Sequence, residues 1–158
     1  MKVFIQKYSQ HIIAILLIAI LSALFVPNNF KNKAPKQSDI VQYRGAASEI
    51  KQYRESGENI LWTNALFAGM PSYVISLPNK STIIKHLKIP NYPRVWAQLF
   101  LYIFCSFIML IAFKVRPWLA LIGAIGIGIA TENLTILAVG HNTKARAIGY
   151  LPLVIAGM

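Results

Sequence analysis

The chain alternates between long apolar runs and shorter polar stretches. The apolar runs cover residues 12–26, 96–113 and 118–139, and a fourth begins at residue 151. At about 1.5 Å per helical residue, such runs approach or reach the roughly 30 Å hydrocarbon core of a bilayer. The pattern predicts an all-α membrane protein with three complete transmembrane helices and the start of a fourth, at the front end of a longer protein.

Three regions follow from this pattern. Residues 1–27 form a basic head and the first transmembrane helix, residues 28–95 a long loop, and residues 96–158 the second, third and truncated fourth helices. A cleaved signal peptide is the alternative for the first region. No small-residue cleavage site is evident around residues 22–26 and further apolar runs follow, which favours an uncleaved helix.

The first half of the long loop carries a helical pattern. Apolar residues recur at three- and four-residue spacing over residues 39–54, which predicts one amphipathic helix. Ser38 is suited to the N-cap position, Asp39 to the first turn and Gly57 to the stop. Such a helix lies along a bilayer surface or packs on a partner helix.

The second half of the loop is more apolar and more interrupted. Residues 60–73 are aromatic and apolar but too short to span, which is typical of a segment that dips into the membrane interface. Residues 81–89 predict a second small amphipathic helix.

The composition also favours a membrane protein. Only 13% of the residues are charged and 56% are hydrophobic, whereas about 25% charged residues are usual in a soluble domain. The net charge of +11 comes from basic residues that flank or link apolar segments, so membrane lipid is the expected partner and nucleic acid is not. The single cysteine, Cys105, lies in an apolar run and is expected to be a small packing residue.

The distribution of basic residues predicts the orientation in the cell membrane. The segments assigned to the cytoplasm contain Lys2, Lys7, Lys114 and Arg116, against Lys144 and Arg146 on the opposite side. This bias predicts a multi-pass protein with a cytoplasmic N-terminus and an extracytoplasmic long loop. Counting the spans then places the segment around Asp39 and the segment around His141 on the same outer face.

Residues 140–150 are the main candidate for a binding site, because they are polar and basic between two apolar runs. His141, Lys144 and Arg146, with Asn142 beside them, offer the donors and charges that bind a phosphate group. A solvated connector whose charges mark the membrane boundary is the other interpretation. The residues alone leave both open.

Asp39 is the candidate acid or base. It is either a helix N-terminal charge stabilised by the helix dipole, or a general base or metal ligand facing a membrane-embedded substrate. A carboxylate opposite a cationic cluster suits transfer from a lipid-linked phosphosugar. The cations would stabilise the leaving phosphate while the carboxylate takes a proton from the acceptor.

Glu132 lies in the outer part of the third apolar run, about 22 Å along a helix that starts near Pro117. An intramembrane carboxylate is a functional candidate by default. It is equally open whether Glu132 is protonated or paired with Lys144 or Arg146. The sequence contains no Cys/His metal spacing, nucleophile elbow, P-loop or dinucleotide fingerprint.

Several short motifs stand in order along nearly the whole chain. They are Ser38-Asp39-Ile40-Val41-Gln42-Tyr43, Trp62-Thr63-Asn64, Gly69-Met70-Pro71-Ser72-Tyr73, Gly140-His141-Asn142, Lys144 and Ala147-Ile148-Gly149-Tyr150. Together they resemble the N-terminal part of YfhO-family bacterial membrane proteins, in the form seen in Bacteroidetes-type members. That family is similar to C-type glycosyltransferases, polytopic enzymes that use polyprenyl-phosphate sugars.

The resemblance implies Asp39 as the catalytic residue and His141 with Lys144 near the lipid phosphate. The candidate set is completed by Asn142 and Arg146 at the phosphate and by Trp62, Asn64 and Glu132 around a pocket. The chain departs from the family pattern at Ala68, where a glycine is expected. It also departs at Glu132, where family members are apolar or aromatic, which speaks against a shared family role for this residue.

The expected function is therefore the N-terminal part of a lipid-phosphosugar-dependent glycosyltransferase of the cell envelope, inactive as a fragment alone. Whether a divalent metal serves as cofactor stays open, because no paired-acid motif accompanies Asp39 and no clear ligand set is present. The alternative is a non-catalytic membrane scaffold or transporter component whose basic loop contacts anionic lipid.

Overall fold

The computed structural model describes residues 2–31, 36–76 and 94–158. The chain is mostly helical and divides into two compact units, residues 1–35 with 92–158 and residues 36–91. The first unit contains α1 (Lys2–Phe25), a 3-10 helix (Pro27–Lys31), α5 (Arg94–Ala112), α6 (Pro117–Gly128), α7 (Thr131–Val139) and α8 (Asn142–Ala156). The second contains α2 (Ser38–Ala46), α3 (Ser48–Glu55), β1 (Trp62–Thr63), β2 (Met70–Pro71) and α4 (Ser72–Ile75). The helix predicted over residues 81–89 lies outside the described residues.

The core of the first unit lies around α5, which packs against α1, α6 and α8. Its buried apolar side chains are Ala14, Ile18, Leu99, Tyr102, Ile103, Phe107, Ala120, Leu121, Ala124, Ile136, Leu137 and Ala145. The helices α5 and α6 run antiparallel, because Gly123 lies beside Leu110 and Gly128 lies beside Ile103. Cys105 is buried in α5, as expected for a packing residue.

Two helices in the described part of the chain are long and apolar enough to cross a membrane. The qualifying segments are Tyr8–Phe25 of α1 and Val95–Ala112 of α5, which correspond to the first two apolar runs. The helices α6 and α7 meet the same test only as a pair, because they are bent by 49°. The described residues therefore hold two candidate spans, or three where the bent pair is counted as one.

The third apolar run is not one continuous helix, which corrects the prediction for residues 118–139. The helix α6 begins with Pro117 in its first turn, as expected. Ala130 then adopts an extended conformation with φ −52° and ψ 140° before α7 begins. Asn133 Nδ2 donates to the Ile127 carbonyl at 2.8 Å, so a side chain satisfies a backbone group next to the break.

The last helix also differs from the prediction. It begins at Asn142 rather than within the final apolar run, so most of the polar segment 140–150 is helical and not an irregular connector. Gly140 makes the turn between α7 and α8 with a φ of 99°, a conformation that favours glycine. The helix α8 packs along α5, where Gly149 lies against Tyr102.

The second unit begins with two short helices where the sequence predicts one over residues 39–54. Ala47 separates α2 from α3, with φ −87° and ψ 0°. Gly45 has a low helix propensity, and the Ser48 hydroxyl donates to the Gly45 carbonyl at 2.7 Å. Such local side-chain bonds compete with helix continuity, which accounts for the break.

The ends of these helices match the prediction in part. Gln37, rather than Ser38, occupies the N-cap position, and no side-chain hydrogen bond caps α2 there. Asp39 lies in the first helical turn, as expected, where the helix dipole favours a carboxylate. Gly57 follows α3 with a φ of 89° and ends the helical segment, as expected.

A short antiparallel pair of strands follows, which the sequence did not predict. The paired residues are Trp62 with Pro71 and Thr63 with Met70. Ser72 closes the base of this hairpin, because its N–H donates to the Leu61 carbonyl at 2.9 Å. Each strand has only 2 residues, too few for the alternating pattern from which a strand is predicted.

Candidate functional site

Three helix ends lie together at one end of the first unit, which we call the shared end: the C-terminal end of α1 and the N-terminal ends of α5 and α8. The Trp96 indole N–H donates to the Ala19 carbonyl at 3.4 Å. The same ring lies edge-on to Phe30, with ring centroids 5.7 Å apart. Gln98 Nε2 donates to Asn142 Oδ1 at 3.0 Å. These contacts bring the start of α8, which carries the predicted phosphate ligands, next to the start of α5.

Gln98 and Tyr102 are buried polar residues of α5 that the sequence analysis missed. They are four residues apart and therefore lie on the same side of the helix. Their exposed fractions are 5% and 2%, and Gln98 Oε1 and the Tyr102 hydroxyl have no hydrogen-bond partner among the described residues. Since buried polar groups are normally satisfied, the two atoms distinguish α5 from a purely apolar span. Their signal in the sequence is a polar pair at i, i+4 within an apolar run.

The start of α8 divides the predicted phosphate ligands into two pairs. Successive helical residues are about 100° apart, so Lys144 and Arg146 lie on nearly opposite sides of α8. His141, in the N-cap position, is three residues before Lys144 and shares its side. Asn142 is four residues before Arg146 and shares the side next to Gln98. The three candidate cations therefore do not share one side of the helix.

The side of α8 with His141 and Lys144 has the properties of an anion site. Both side chains are exposed, and no side-chain hydrogen bond caps the helix. Its first N–H groups and the positive end of its dipole favour a negatively charged ligand. Neither Lys144 nor Arg146 forms an ion pair within the described residues, so their charges are not neutralised there.

Glu132 lies in the first turn of α7, directly after the bend in the third apolar run. The helix dipole stabilises a carboxylate in that position, which explains Glu132 without a role in a site. Within the described residues it makes no ion pair with Lys144 or Arg146. Of the two alternatives that the sequence leaves open for Glu132, the pairing with Lys144 or Arg146 is therefore not seen within the described residues.

Asp39 belongs to the second unit, whereas His141 belongs to the first. Asp39 is half-buried in the first turn of α2. The proximity of Asp39 to His141 stays a prediction from the order of the spans.

Trp62 and Asn64, the other predicted pocket residues, are held within the hairpin. The Asn64 N–H donates to Glu49 Oε2 at 2.9 Å, and the Thr63 hydroxyl donates to the same oxygen. The Trp62 indole lies directly over Gly69, since a Cβ on that glycine would be 2.5 Å from Trp62 Nε1. Trp62 and Asn64 are predicted from the sequence, whereas Glu49, which joins α3 to the hairpin, is not.

An open groove of about 500 Å³ lies along the helices of the second unit. Its lining includes Tyr43, Arg44, Lys51, Arg54, Glu55 and Ser76. Arg54 donates to the Ser76 hydroxyl at 3.0 Å, and Lys51 lies 3.5 Å from Glu55. Lys51 and Arg54 thus make contacts within the unit, whereas Arg44 makes neither a side-chain hydrogen bond nor an ion pair within the described residues.

No group of three or more His, Cys, Asp or Glu side chains that could hold a metal ion occurs among the described residues. No protein-family model, curated protein or solved structure matches the chain. The fold defines the class of protein: a mostly helical chain with two helices able to cross a membrane. Its family stays a prediction from the sequence motifs.

Proposed function

We propose that the chain binds the phosphate of a polyprenyl-phosphate sugar at the shared end, as part of a membrane glycosyltransferase of the cell envelope. The observation that carries this proposal is the start of α8, where His141 and Lys144 flank a helix N-terminus without a side-chain cap. Anions bind favourably at such a terminus, and an adjacent cation strengthens the binding. Gln98 holds this terminus against α5. The phosphate of a membrane-anchored carrier lies at the bilayer surface, where the ends of spanning helices also lie.

In this proposal the leaving group and the acceptor are handled by different residues. His141 and Lys144 stabilise the leaving phosphate, and Asp39 accepts the proton of the acceptor hydroxyl. The sugar carbon forms a bond to the acceptor oxygen as its bond to the phosphate oxygen breaks, and the polyprenyl phosphate leaves with that electron pair. The resemblance to YfhO-family proteins supports this assignment, and the positive-inside rule supports a cytoplasmic N-terminus with an outward-facing shared end.

Binding of the carrier lipid tests the phosphate site. With the chain in nanodiscs, a polyprenyl phosphate is expected to bind and the corresponding polyprenol is not. Lys144→Gln is expected to weaken binding about tenfold or more, because a hydrogen bond to a charged group contributes about 1.5–3 kcal/mol. Arg146→Gln is the matched control, since it removes the same charge from the opposite side of α8. Equal losses in both variants would indicate a general charge effect and contradict the proposal.

Sugar transfer tests the role of Asp39. In the protein as the cell produces it, Asp39→Asn is expected to abolish transfer from a radiolabelled polyprenyl-phosphate sugar while its amount in the membrane is unchanged. Glu58→Gln is the control, because Glu58 is an exposed carboxylate of the same unit. Normal transfer by Asp39→Asn would remove Asp39 from the mechanism.

Thiol labelling tests whether Asp39 and His141 share a membrane face. Asp39→Cys and His141→Cys are made separately in a Cys105→Ser background and treated with a membrane-impermeant reagent. Both positions are expected to react from the extracytoplasmic side. Reaction from opposite compartments would end the proposal.

The second candidate function is a non-catalytic membrane component that contacts anionic lipid. The cation-lined groove of the second unit favours it. It predicts salt-sensitive binding of the chain to anionic vesicles that Arg44→Gln weakens. It also predicts full function in the Asp39→Asn variant, which distinguishes it from the first proposal.

A further inference from the structure

We infer that the tip of the hairpin in the second unit inserts into the boundary between headgroups and acyl chains of a lipid bilayer. The hairpin tip is residues 64–69, and Leu61 and Trp62 precede it at the base and on the first strand. This inference goes beyond the proposed function, because it concerns how the long loop is held at the membrane and requires no sugar chemistry.

The hairpin presents large apolar side chains to its surroundings, both at its tip and on its first strand. Leu61 is 81% exposed and Phe67 is 87% exposed, and Trp62 and Leu66 are exposed as well. No charged residue occurs anywhere in residues 59–76, so the hairpin itself carries no ionised side chain into the bilayer. Clusters of this kind mark interaction sites rather than ordinary surface, and aromatic residues favour the membrane interface.

The backbone holds this apolar tip in one defined shape. Phe67 and Ala68 have φ values of 51° and 59°, in the left-handed region that is uncommon for residues with a Cβ. Such conformations persist where surrounding contacts determine them. The bonds of Glu49 to the first strand and the packing of Trp62 over Gly69 provide those contacts. Because the tip is ordered by the unit itself, insertion requires little additional ordering.

The connections of the second unit to α1 and α5 favour a bilayer as the partner that covers the exposed tip. Residues 26–35 and 77–93 join the segment to α1 and α5, the two described helices that are long and apolar enough to cross a membrane. A segment tethered at both ends to membrane spans meets the bilayer at a high effective concentration. Interfacial segments bury their apolar side to a depth of about 5–10 Å, which suits a short hairpin tip.

Depth-dependent fluorescence quenching tests the inference in the full chain in nanodiscs. An environment-sensitive fluorophore is attached to Phe67→Cys or Leu61→Cys in a Cys105→Ser background. Val41→Cys is the matched control, because Val41 is an exposed apolar residue on α2 of the same unit. Lipid with a spin label near the headgroup is expected to quench the probes at 67 and 61 several-fold more than the probe at 41. Aqueous iodide is expected to give the reverse order.

Two results would overturn the inference. Quenching at positions 67 and 61 by iodide but not by spin-labelled lipid would show that water covers the tip. Protection from both quenchers would show that protein covers it, either a second copy or another partner.

Discussion

Gln98 in α5 donates a hydrogen bond from its Nε2 to the Oδ1 of Asn142, the first residue of α8, over 3.0 Å. The bond joins the N-terminal ends of two helices that pack side by side. Gln98 is 5% exposed, so water does not compete for its amide. Hydrogen bonds between side-chain amides of neighbouring helices stabilise their packing in a membrane environment. Here the hydrogen bond holds the start of α8 against α5.

Asn142→Ala is expected to destabilise the first unit. The Gln98 amide would be buried without any partner, at a cost of about 1–3 kcal/mol. Unfolding of the chain by denaturant in detergent micelles measures the loss. Adding Gln98→Leu to Asn142→Ala is expected to recover part of the stability, because the double variant no longer buries an unpaired Gln98 amide. Unchanged stability in Asn142→Ala would show that the bond contributes nothing.

Gly128→Ala is expected to weaken the packing of α6 on α5. A Cβ at Gly128 would overlap Ile103 Cγ1 and would lie 3.2 Å from the Ile103 Cα. Overpacking of this kind costs about 1–3 kcal/mol, measured by the same unfolding experiment. Gly126→Ala is the control two residues away, because a Cβ there meets nothing within 4 Å. If both variants lose the same stability, close approach at Gly128 is not the cause.

Glu49→Gln is expected to loosen the hairpin of the second unit. The substitution removes a charged acceptor shared by the Thr63 hydroxyl and the Asn64 N–H. The free energy of local opening, measured by hydrogen exchange of the Asn64 amide, is expected to fall by about 1.5–3 kcal/mol.

Glu55→Gln is the control for that prediction. It breaks an exposed pair with Lys51 on the same helix, and exposed pairs of this kind contribute roughly 0–1 kcal/mol. Faster exchange at Asn64 in the control than in Glu49→Gln would contradict the assignment.

Gly69→Ala is expected to disturb the hairpin more than Gly57→Ala disturbs the end of α3. Both glycines have positive φ values, 118° and 89°, so an alanine is strained by about 1–2 kcal/mol at either site. At Gly69 the new Cβ would also lie 2.5 Å from Trp62 Nε1, whereas at Gly57 it meets nothing within 4 Å. Hydrogen exchange measures the loss of local stability in the hairpin for Gly69→Ala and in α3 for Gly57→Ala. Equal losses would show that the Trp62 contact is unimportant.

The sequence by itself determined the elements that depend on local chemistry. The apolar runs gave the helices α1 and α5, because the hydrophobicity of a span is a property of consecutive residues. Pro117 at the start of α6 and Gly57 after α3 also followed from their own backbone preferences. Ala68, where the family resemblance leads to the expectation of a glycine, has a φ of 59°, which a glycine adopts more readily than an alanine.

The tertiary structure alone decided which residues meet. It divided the third apolar run at Ala130 and placed Glu132 at a helix start. It began α8 at Asn142, so that Lys144 and Arg146 lie on opposite sides of a helix. It also brought Glu49 to the hairpin and Gln98 to Asn142. The last two contacts join positions 15 and 44 residues apart, and their energies depend on burial. Those quantities exist only once the helices have packed, so no local pattern of residues carries them.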